Sequence, residues 1–239
     1  MQTNIDETEN LARMKRGELY YPLTPQLNAA RDHCNNAVRR FNNFGGGLTR
    51  RQMAESWKEI TQSPDPLPAP GSTDAEEYTL LSAYPWIDGP THIDYGTNIR
   101  VGSGTYINCN SVFIDTCLVT IGSRVMIGPN VSFFSGTHPL DPDHRNGLNG
   151  PASGGTITLG DDIWVAGNVV FLPGITVGDG CTIGAGSVVN KDVPAYHVAA
   201  GNPVRIIRKI ERKFKAEQDV SDVAEDKTIL IDREKVEVS

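Results

Sequence analysis

Large apolar residues recur at every sixth position through the second half of the chain. One series is Leu159, Val165, Phe171, Val177, Ile183 and Val189, and a second series, four residues further on, is Ile163, Val169, Ile175, Cys181, Ser187 and Val193. This period matches neither the 3.6-residue period of an α-helix nor the two-residue alternation of a hairpin strand. It predicts short strands joined by turns and wound into a parallel β-helix, in which each coil stacks its apolar positions on the next.

The first half of the chain carries the same spacing with interruptions. The spacing begins at about Tyr95, slips by two residues at 119–120, resumes, and stops after Phe133. The segment 134–156 then breaks the repeat and is predicted to be a loop inserted into the β-helix. Because loops held on a rigid scaffold often carry function, we expect part of the functional site in this insertion.

Helical spacing precedes the repeat. Residues 1–62 are predicted to form an N-terminal helical segment. Thr24 stands ahead of Pro25 as an N-cap, and Thr49 with Gln52 forms a capping box. These signals predict where two of the helices begin.

Proline-rich sequence separates the helices from the repeat. Residues 63–90 contain "SPDPLPAPGS" and are predicted to be a linker and the entry to the β-helix, because proline removes N–H donors and fixes φ. The hexapeptide-repeat domain is predicted over 91–204. Residues 205–239 are predicted to be a C-terminal helix and a charged tail that cover the last coil. The apolar face of that helix is expected to be Ile206, Ile207, Ile210 and Phe214.

Composition excludes several classes of protein. The net charge of -7 argues against a nucleic-acid partner, which usually requires a basic face. No apolar run approaches the ~20 residues of a membrane helix, and "MQTNIDETEN" lacks the features of a signal peptide. Four scattered cysteines without CxxC spacing indicate neither a zinc knuckle nor a disulfide framework. We therefore expect a cytoplasmic protein without a membrane partner.

Several segments together resemble a known family. They are "RMKRGELYYP", "INCNSVFID", "THPLDP", "IWVAGNVVFLPGITVGDGCTIGAGSVVNKDVP" and "AAGNPVRIIRKI". With the six-residue repeat they resemble the maltose and galactoside O-acetyltransferases of the hexapeptide-repeat superfamily over about residues 9–212. The resemblance implies a left-handed parallel β-helix and a homotrimer with active sites between subunits. It also implies acetyl-coenzyme A as donor and a small-molecule hydroxyl as acceptor.

Acetyl transfer from a thioester to an alcohol needs a base for the hydroxyl proton and donors for the oxyanion. Histidine suits the role of base, since its unperturbed pKa is ~6.5. His138, at the start of the inserted loop, matches the family's catalytic His. Asn108 in "TYINCN" matches the active-site Asn that would hydrogen-bond at the reaction centre; its alternative interpretation is a turn residue of the coil.

The resemblance also implies contacts for both substrates. The positions that flank the acceptor are Asp94, Tyr106 and Asp115. The positions that line the coenzyme A groove are Gly167, Ala185, Asn190 and Lys191, with Arg205 and Arg208 at the phosphate end. The alternative for the two arginines is a solvated cationic helix face. Trp164 has two interpretations, a wall for the pantetheine arm or a cap on its own coil.

Two positions depart from the family's pattern. Pro22 stands where members commonly have an Asp that binds the sugar, and Ala152 stands where a Glu often orients the catalytic His. The donor half of the site therefore matches the family, while the acceptor half is altered. The hydroxyl need not belong to maltose or a galactoside.

Three other functions remain open from the sequence. N-acetylation of an amino sugar is a close variant. A β-helix that only binds, without catalysis, is favoured by Pro22 and Ala152. Zinc hydration chemistry on the same scaffold needs three convergent His ligands, and only His138 lies suitably within the repeat, so no metal is expected.

Overall fold

The structure is a computed structural model that describes residues 5–44 and 47–212. Helices come first along the chain and strands follow. The N-terminal helices are α1 (Glu7–Arg16), α2 (Pro25–Asn43), α3 (Arg50–Thr61) and α4 (Asp74–Leu80). Within the described ranges, no helix has the length and hydropathy that a membrane crossing requires.

The predicted helix starts are confirmed at α2 and α3. Thr24 caps α2 by accepting a hydrogen bond from the Leu27 N–H, with Pro25 in the first turn. Thr49 and Gln52 form the reciprocal capping box ahead of α3. These bonds satisfy backbone N–H groups that have no partner within the first turn of a helix.

The strands wind into a coil with three faces, each of them a sheet whose strands stack in parallel from coil to coil, except that the last strand of the first sheet is antiparallel to its neighbour. Sheet I contains β1 (Trp86–Ile87), β4 (Tyr106–Ile107), β7 (Met126–Ile127), β12 (Trp164–Val165), β15 (Thr182–Ile183), β17 (His197–Ala200) and β18 (Arg205–Lys209). Sheet II contains β2 (Thr91–Ile93), β5 (Ser111–Ile114), β8 (Ser132–Phe134), β13 (Val170–Phe171) and β16 (Val188–Val189). Sheet III contains β3 (Ile99–Val101), β6 (Val119–Ile121), β11 (Ile157–Leu159) and β14 (Thr176–Val177).

The two apolar series of the second half fill the interior of the coil, and all twelve of their side chains are buried. Val165 pairs with Ile183, 18 residues later, so one coil takes three six-residue steps. Phenylalanine rings stack along the axis, Phe113 on Phe133 at 4.7 Å between centroids and Phe133 on Phe171 at 5.0 Å. The parallel β-helix predicted from the period is therefore confirmed.

The slip in the repeat corresponds to a wider corner between sheets II and III. Phe113 pairs with Phe133, 20 residues later, which is two residues more than three hexapeptides. The additional residues lie between the end of β5 and the start of β6. Asp115, Thr116 and Cys117 there are all buried. The corner is therefore a packed part of the core.

The N-terminal helices close the first coil. Cys34 and Phe41 of α2 join the same buried cluster as Ile93 of β2. The Asn42 side chain donates to the Thr91 carbonyl at 2.8 Å and accepts from the Thr91 N–H at 2.9 Å. The strand edge that begins the β-helix is therefore covered, which protects it from pairing with another chain.

The predicted C-terminal helix is wrong for the residues that the structure describes. Residues 205–209 form β18, which pairs antiparallel with β17 after a turn. Two adjacent β-branched residues, Ile206 and Ile207, favour extended backbone, and the edge of β17 offers hydrogen-bond partners that an isolated helix would not gain. Phe214, expected on the helix face, lies outside the described residues.

The structure of residues 63–90 differs from the predicted linker in one respect. Residues 63–73 contain neither helix nor strand, but α4 follows within the predicted 63–90 segment, with Thr73 as its N-cap. Arg51 of α3 forms an ion pair with Glu77 of α4, with Nε and Oε2 2.9 Å apart. The helix therefore packs on α3 rather than standing apart.

Candidate active site

The inserted loop is anchored by a short hairpin. It runs from β9 (Gly136–Thr137) through α5 (Pro142–Arg145) to β10 (Ser153–Gly154), and β10 pairs antiparallel with β9. Ser153 and Thr137 form the last pair of this ladder, so Ala152 and His138 are the next residues on its two arms. His138 is thus held at the mouth of a hairpin, with its side chain exposed.

The other edge of Ala152 joins the N-terminal segment. Tyr20 N donates to the Ala152 carbonyl at 2.9 Å, and Ala152 N donates to the Tyr20 carbonyl at 2.8 Å. The His138 side chain makes no hydrogen bond with any residue that the structure describes, and the methyl group of Ala152 offers none. The two segments in which the sequence departs from the family therefore meet beside His138.

The candidate residues separate onto two corners of the coil. One set follows strands of sheet II, and another set precedes strands of the same sheet. The first set is His138, Asp94, Asn190 and Lys191. That second set is Asn108, Gly167 and Ala185. A four-residue strand such as β5 spans roughly 13 Å at ~3.3 Å per residue. Within one chain the structure therefore does not bring His138 to Asn108.

The corner that carries Asn108 has small side chains on the later coils. Gly167 lies on one coil there and Ala185 with Gly186 on the next, and no side chain of the three is larger than a methyl group. A Cβ at Gly186 would meet no atom within 4 Å. The corner thus has an open surface without large side chains, which fits an extended chain such as a pantetheine arm.

Asn108 is oriented by its own turn. Its side-chain oxygen accepts from the Cys109 N–H at 2.8 Å, and its carbonyl accepts from the Ser111 hydroxyl at 2.7 Å. The side-chain NH₂ group has no partner among the residues described. Since an amide carries two donors on that nitrogen, Asn108 can donate outward from the corner.

Sheet I carries the remaining candidates on its outer face. Trp164 is exposed there, beside Met126 in the ladder. Arg205 and Arg208 lie exposed on β18, and Lys191 is exposed at the corner after β16. These cations have no ion-pair partner within residues 5–44 and 47–212, so they are available to an anion.

Tyr106 is held by a residue that the sequence analysis missed. Its hydroxyl donates to Asp88 Oδ2 at 2.6 Å, and Trp86 Nε1 donates to Asp88 Oδ1 at 3.0 Å. The hydrogen bond to Asp88 and burial raise the pKa of Tyr106 to about 12. The contact between Asp88 and Tyr106 depends on the parallel register of β1 and β4, which pairs Trp86 with Tyr106. That register is the signal that could have identified Asp88.

Asp115 does not reach an acceptor surface. Its side chain is 0% exposed, its Oδ1 accepts from the Tyr95 N–H at 2.8 Å, and its Oδ2 accepts from the Asn98 N–H at 3.3 Å. The expectation that it contacts the acceptor is contradicted by this burial, because the carboxylate holds the wide corner between coils. Burial raises the pKa of Asp115 to about 7, although the two amide hydrogen bonds act to lower it.

We expect Asp115 to make the free energy of unfolding fall as the pH rises from about 4 to about 7. The folded pKa lies above the ordinary 3.8, so the stabilisation is complete below the ordinary pKa and is lost as the pH passes the folded pKa. The loss amounts to about 4 kcal/mol. Urea unfolding at pH 5 and pH 8 covers about two of these three pH units, so it should show about 3 kcal/mol of the loss.

The substitution Asp115→Asn removes the proton equilibrium and should flatten this dependence, even if it lowers stability at both pH values. Asp143→Asn, on the exposed part of the loop, should keep the wild-type difference. An Asp115→Asn protein with the wild-type pH dependence would contradict this account of the corner.

No group of three His, Cys, Asp or Glu side chains converges on a metal position in the part of the chain that the structure covers. The other histidines lie apart from His138, with His92 on β2 and His197 on β17. His197 Nδ1 lies 2.9 Å from the Ala195 carbonyl oxygen.

Comparison with known proteins agrees with this geometry. The profile of the maltose acetyltransferase hexapeptide capping motif matches residues 13–62, and that of the bacterial transferase hexapeptide (six repeats) matches residues 156–191. The galactoside O-acetyltransferase of Escherichia coli is 40% identical over 140 residues, which are 59% of this chain and 68% of that protein.

Two solved structures are similar over most of their length. A maltose O-acetyltransferase from Clostridium difficile has 34% identity and a TM-score of 0.73, over 85% of this chain and 98% of that one. A galactoside acetyltransferase in complex with coenzyme A has 31% identity and a TM-score of 0.70, over 89% and 98%. The chain therefore belongs to the hexapeptide-repeat acetyltransferases of the maltose and galactoside O-acetyltransferase type, which have a left-handed parallel β-helix.

Proposed function

We propose that this chain transfers the acetyl group of acetyl-coenzyme A to a hydroxyl of a sugar or another small molecule in the cytoplasm, with His138 as general base. The acceptor oxygen attacks the thioester carbonyl carbon, and His138 takes the hydroxyl proton. The C–S bond then breaks, and coenzyme A leaves as its thiol after receiving that proton. The products are the acetyl ester and coenzyme A.

The observation that carries this proposal is the separation of His138 and Asn108 onto two different corners of neighbouring coils. A base and an amide donor serve one reaction only when both lie within hydrogen-bond reach of it. A neighbouring copy can supply the second corner if three chains pack around an axis with their coils side by side. We therefore propose a homotrimer with three active sites, each between two subunits.

Exposed apolar side chains support this assembly. Met126 and Trp164 lie side by side on the outer face of sheet I, and Leu118 is exposed at the corner before sheet III. Met126 and Trp164 thus form an exposed apolar patch, and such patches are typical of contacts with another chain.

In this arrangement Asn108 donates its free NH₂ group to the oxyanion of the tetrahedral intermediate. Asp94 and Tyr106 contact the acceptor. Lys191, Arg205 and Arg208 are exposed cations suited to the phosphates of coenzyme A. The pantetheine arm of coenzyme A follows a path lined by Gly167, Ala185, Asn190 and Trp164.

The test is a transfer assay with acetyl-coenzyme A and a panel of sugars, amino sugars and simple alcohols. We expect thiol release that depends on an acceptor, and mass spectrometry should find one added acetyl group on a hydroxyl. Acetylation on nitrogen alone, or no release with any acceptor by a protein that binds coenzyme A, would contradict the proposal.

A further inference from the structure

A cleft of about 840 Å³ opens beside the His138 hairpin. We call it the N-terminal cleft. One wall is the connection between α1 and α2, residues 21–25, and the other is residues 148–150 of the inserted loop. Ile5 and Glu7 close one side. Its volume lies in the range of small-molecule sites in proteins.

The cleft is continuous with the candidate base. Tyr20 pairs with Ala152, and Ala152 and His138 are the next residues beyond the last pair of the β9–β10 ladder. Two strand spacings place the backbone of Tyr20 roughly 10 Å from that of His138. A ligand that fills the cleft beside Tyr21 can therefore extend one end toward the imidazole.

The wall of the cleft is fixed before any ligand arrives. The Asn10 side chain donates to the Tyr21 carbonyl at 2.9 Å and accepts from the Tyr21 N–H at 2.8 Å. Arg31 Nη2 donates to the Pro22 carbonyl at 2.8 Å. A preformed wall reduces the entropy lost on binding.

Three polar side chains of the cleft each make one hydrogen bond within the protein. Glu7 accepts from the Gln26 N–H at 3.4 Å, Thr24 caps α2, and Asn28 accepts from Arg31. The side chains without such bonds in the described chain are the Tyr21 hydroxyl and the Asn149 amide. The rest of the lining is apolar, namely Ile5, Pro22, Leu23, Pro25 and Leu148.

This chemistry is unfavourable for a sugar. Each hydroxyl that leaves water without a new hydrogen bond weakens binding, and a hexose carries several of them. The free groups are the Tyr21 hydroxyl, the Asn149 amide, the Asn28 NH₂ group and the second Glu7 oxygen, which are fewer than the hydroxyls of a hexose. Apolar walls gain affinity by removing hydrocarbon from water.

We propose that the acceptor is an alcohol with an apolar body, an alkyl or aryl alcohol, whose body lies in the N-terminal cleft while its hydroxyl faces His138. The inference rests on the proposed acetyl transfer and adds the class of acceptor. It makes Leu23 and Leu148 determinants of specificity, although neither takes part in the chemistry.

The test uses primary alcohols from ethanol to hexanol, together with galactose and maltose. We expect kcat/KM to rise roughly fourfold for each added methylene, the factor that corresponds to burial of one CH₂ group. The two sugars should react more slowly than hexanol. A flat series, or a sugar with a higher kcat/KM than hexanol, would overturn the proposal.

Matched variants locate the effect in the cleft. Leu148→Asn places an amide on the wall, whereas Leu140→Asn makes the same change on the same loop, outside the cleft. Leu148 is 81% exposed, so its replacement should not impair folding. Leu148→Asn should lower the hexanol-to-ethanol ratio of kcat/KM roughly three- to tenfold, and Leu140→Asn should leave the ratio unchanged. Equal effects of both variants would overturn the proposal.

The failure of this inference can be separated from the failure of acetyl transfer itself. Thiol release that requires His138 but favours sugars would contradict the apolar acceptor and leave acetyl transfer supported. No His138-dependent release with any alcohol or sugar would contradict both.

Discussion

Replacement of His138 by Ala is expected to lower kcat/KM for acetyl transfer about 10²–10⁴-fold, the usual contribution of a positioned general base. The alcohol is a weak nucleophile when neutral, and we propose the exposed imidazole at the mouth of the β9–β10 hairpin as the base that activates it. Thiol release at saturating acetyl-coenzyme A measures the change. Binding of coenzyme A should remain, since the cations lie on other elements.

His144→Ala is the matched control for this substitution. His144 lies exposed on α5 of the same inserted loop, and its removal should change kcat/KM less than twofold. Unfolding curves of both variants should coincide with the wild-type curve. Equal activity of the His138→Ala and His144→Ala proteins would contradict the role of His138.

Replacement of Phe133 by Ala should lower the free energy of unfolding by about 3–5 kcal/mol. Phe133 is fully buried between the rings of Phe113 and Phe171, so its loss opens a cavity in the axis of the coil and removes two ring stacks. The flanking coils cannot close the gap without breaking their ladders. Urea unfolding followed by circular dichroism measures the loss.

Phe134→Ala is the control on the same strand. Phe134 follows Phe133 in β8, points to the opposite face and is only partly buried, so its removal should cost much less. If the two variants were equally stable, the interior stack would not be the main support of this coil.

The hexapeptide period predicted most of the fold because it reports a repeated environment. A residue such as Val165 meets the same surroundings as Ile183 one coil later, so the apolar spacing in the chain is the spacing of the core. The caps at Thr24 and Thr49 were predictable for a related reason. Each depends on backbone donors within three residues.

Contacts between distant segments could not be predicted in the same way. Asp88 holds Tyr106 only because coils stack in one register, and 18 positions separate the two residues. The sequence around Asp115 has no feature that distinguishes a residue in contact with the acceptor from a buried residue that accepts a hydrogen bond from the Tyr95 N–H. The segment "RIIRK" was expected to be helical, but it forms a strand because it pairs with the edge of β17.

The candidate site itself was predicted residue by residue from the family resemblance, and its assembly was not. The sequence offers no sign that Ala152 lies between Tyr20 and His138, because those three positions come from three separated segments. The pairing of Tyr20 with Ala152 brings together residues 21–25 and 148–150, which are the two walls of the N-terminal cleft. The specificity inferred for the acceptor thus depends on tertiary structure.

Complementation between two inactive variants tests the central claim most directly. His138→Ala and Asn108→Ala chains, each nearly inactive alone, would be mixed in equal amounts, unfolded and refolded together. If each active site takes His138 from one subunit and Asn108 from its neighbour, random trimers should regain about a quarter of the wild-type activity. The subunit that supplies position 138 has an intact His138 in half of the sites, and the subunit that supplies position 108 has an intact Asn108 in half of those. Activity no higher than that of the variants refolded separately would contradict a site shared between subunits.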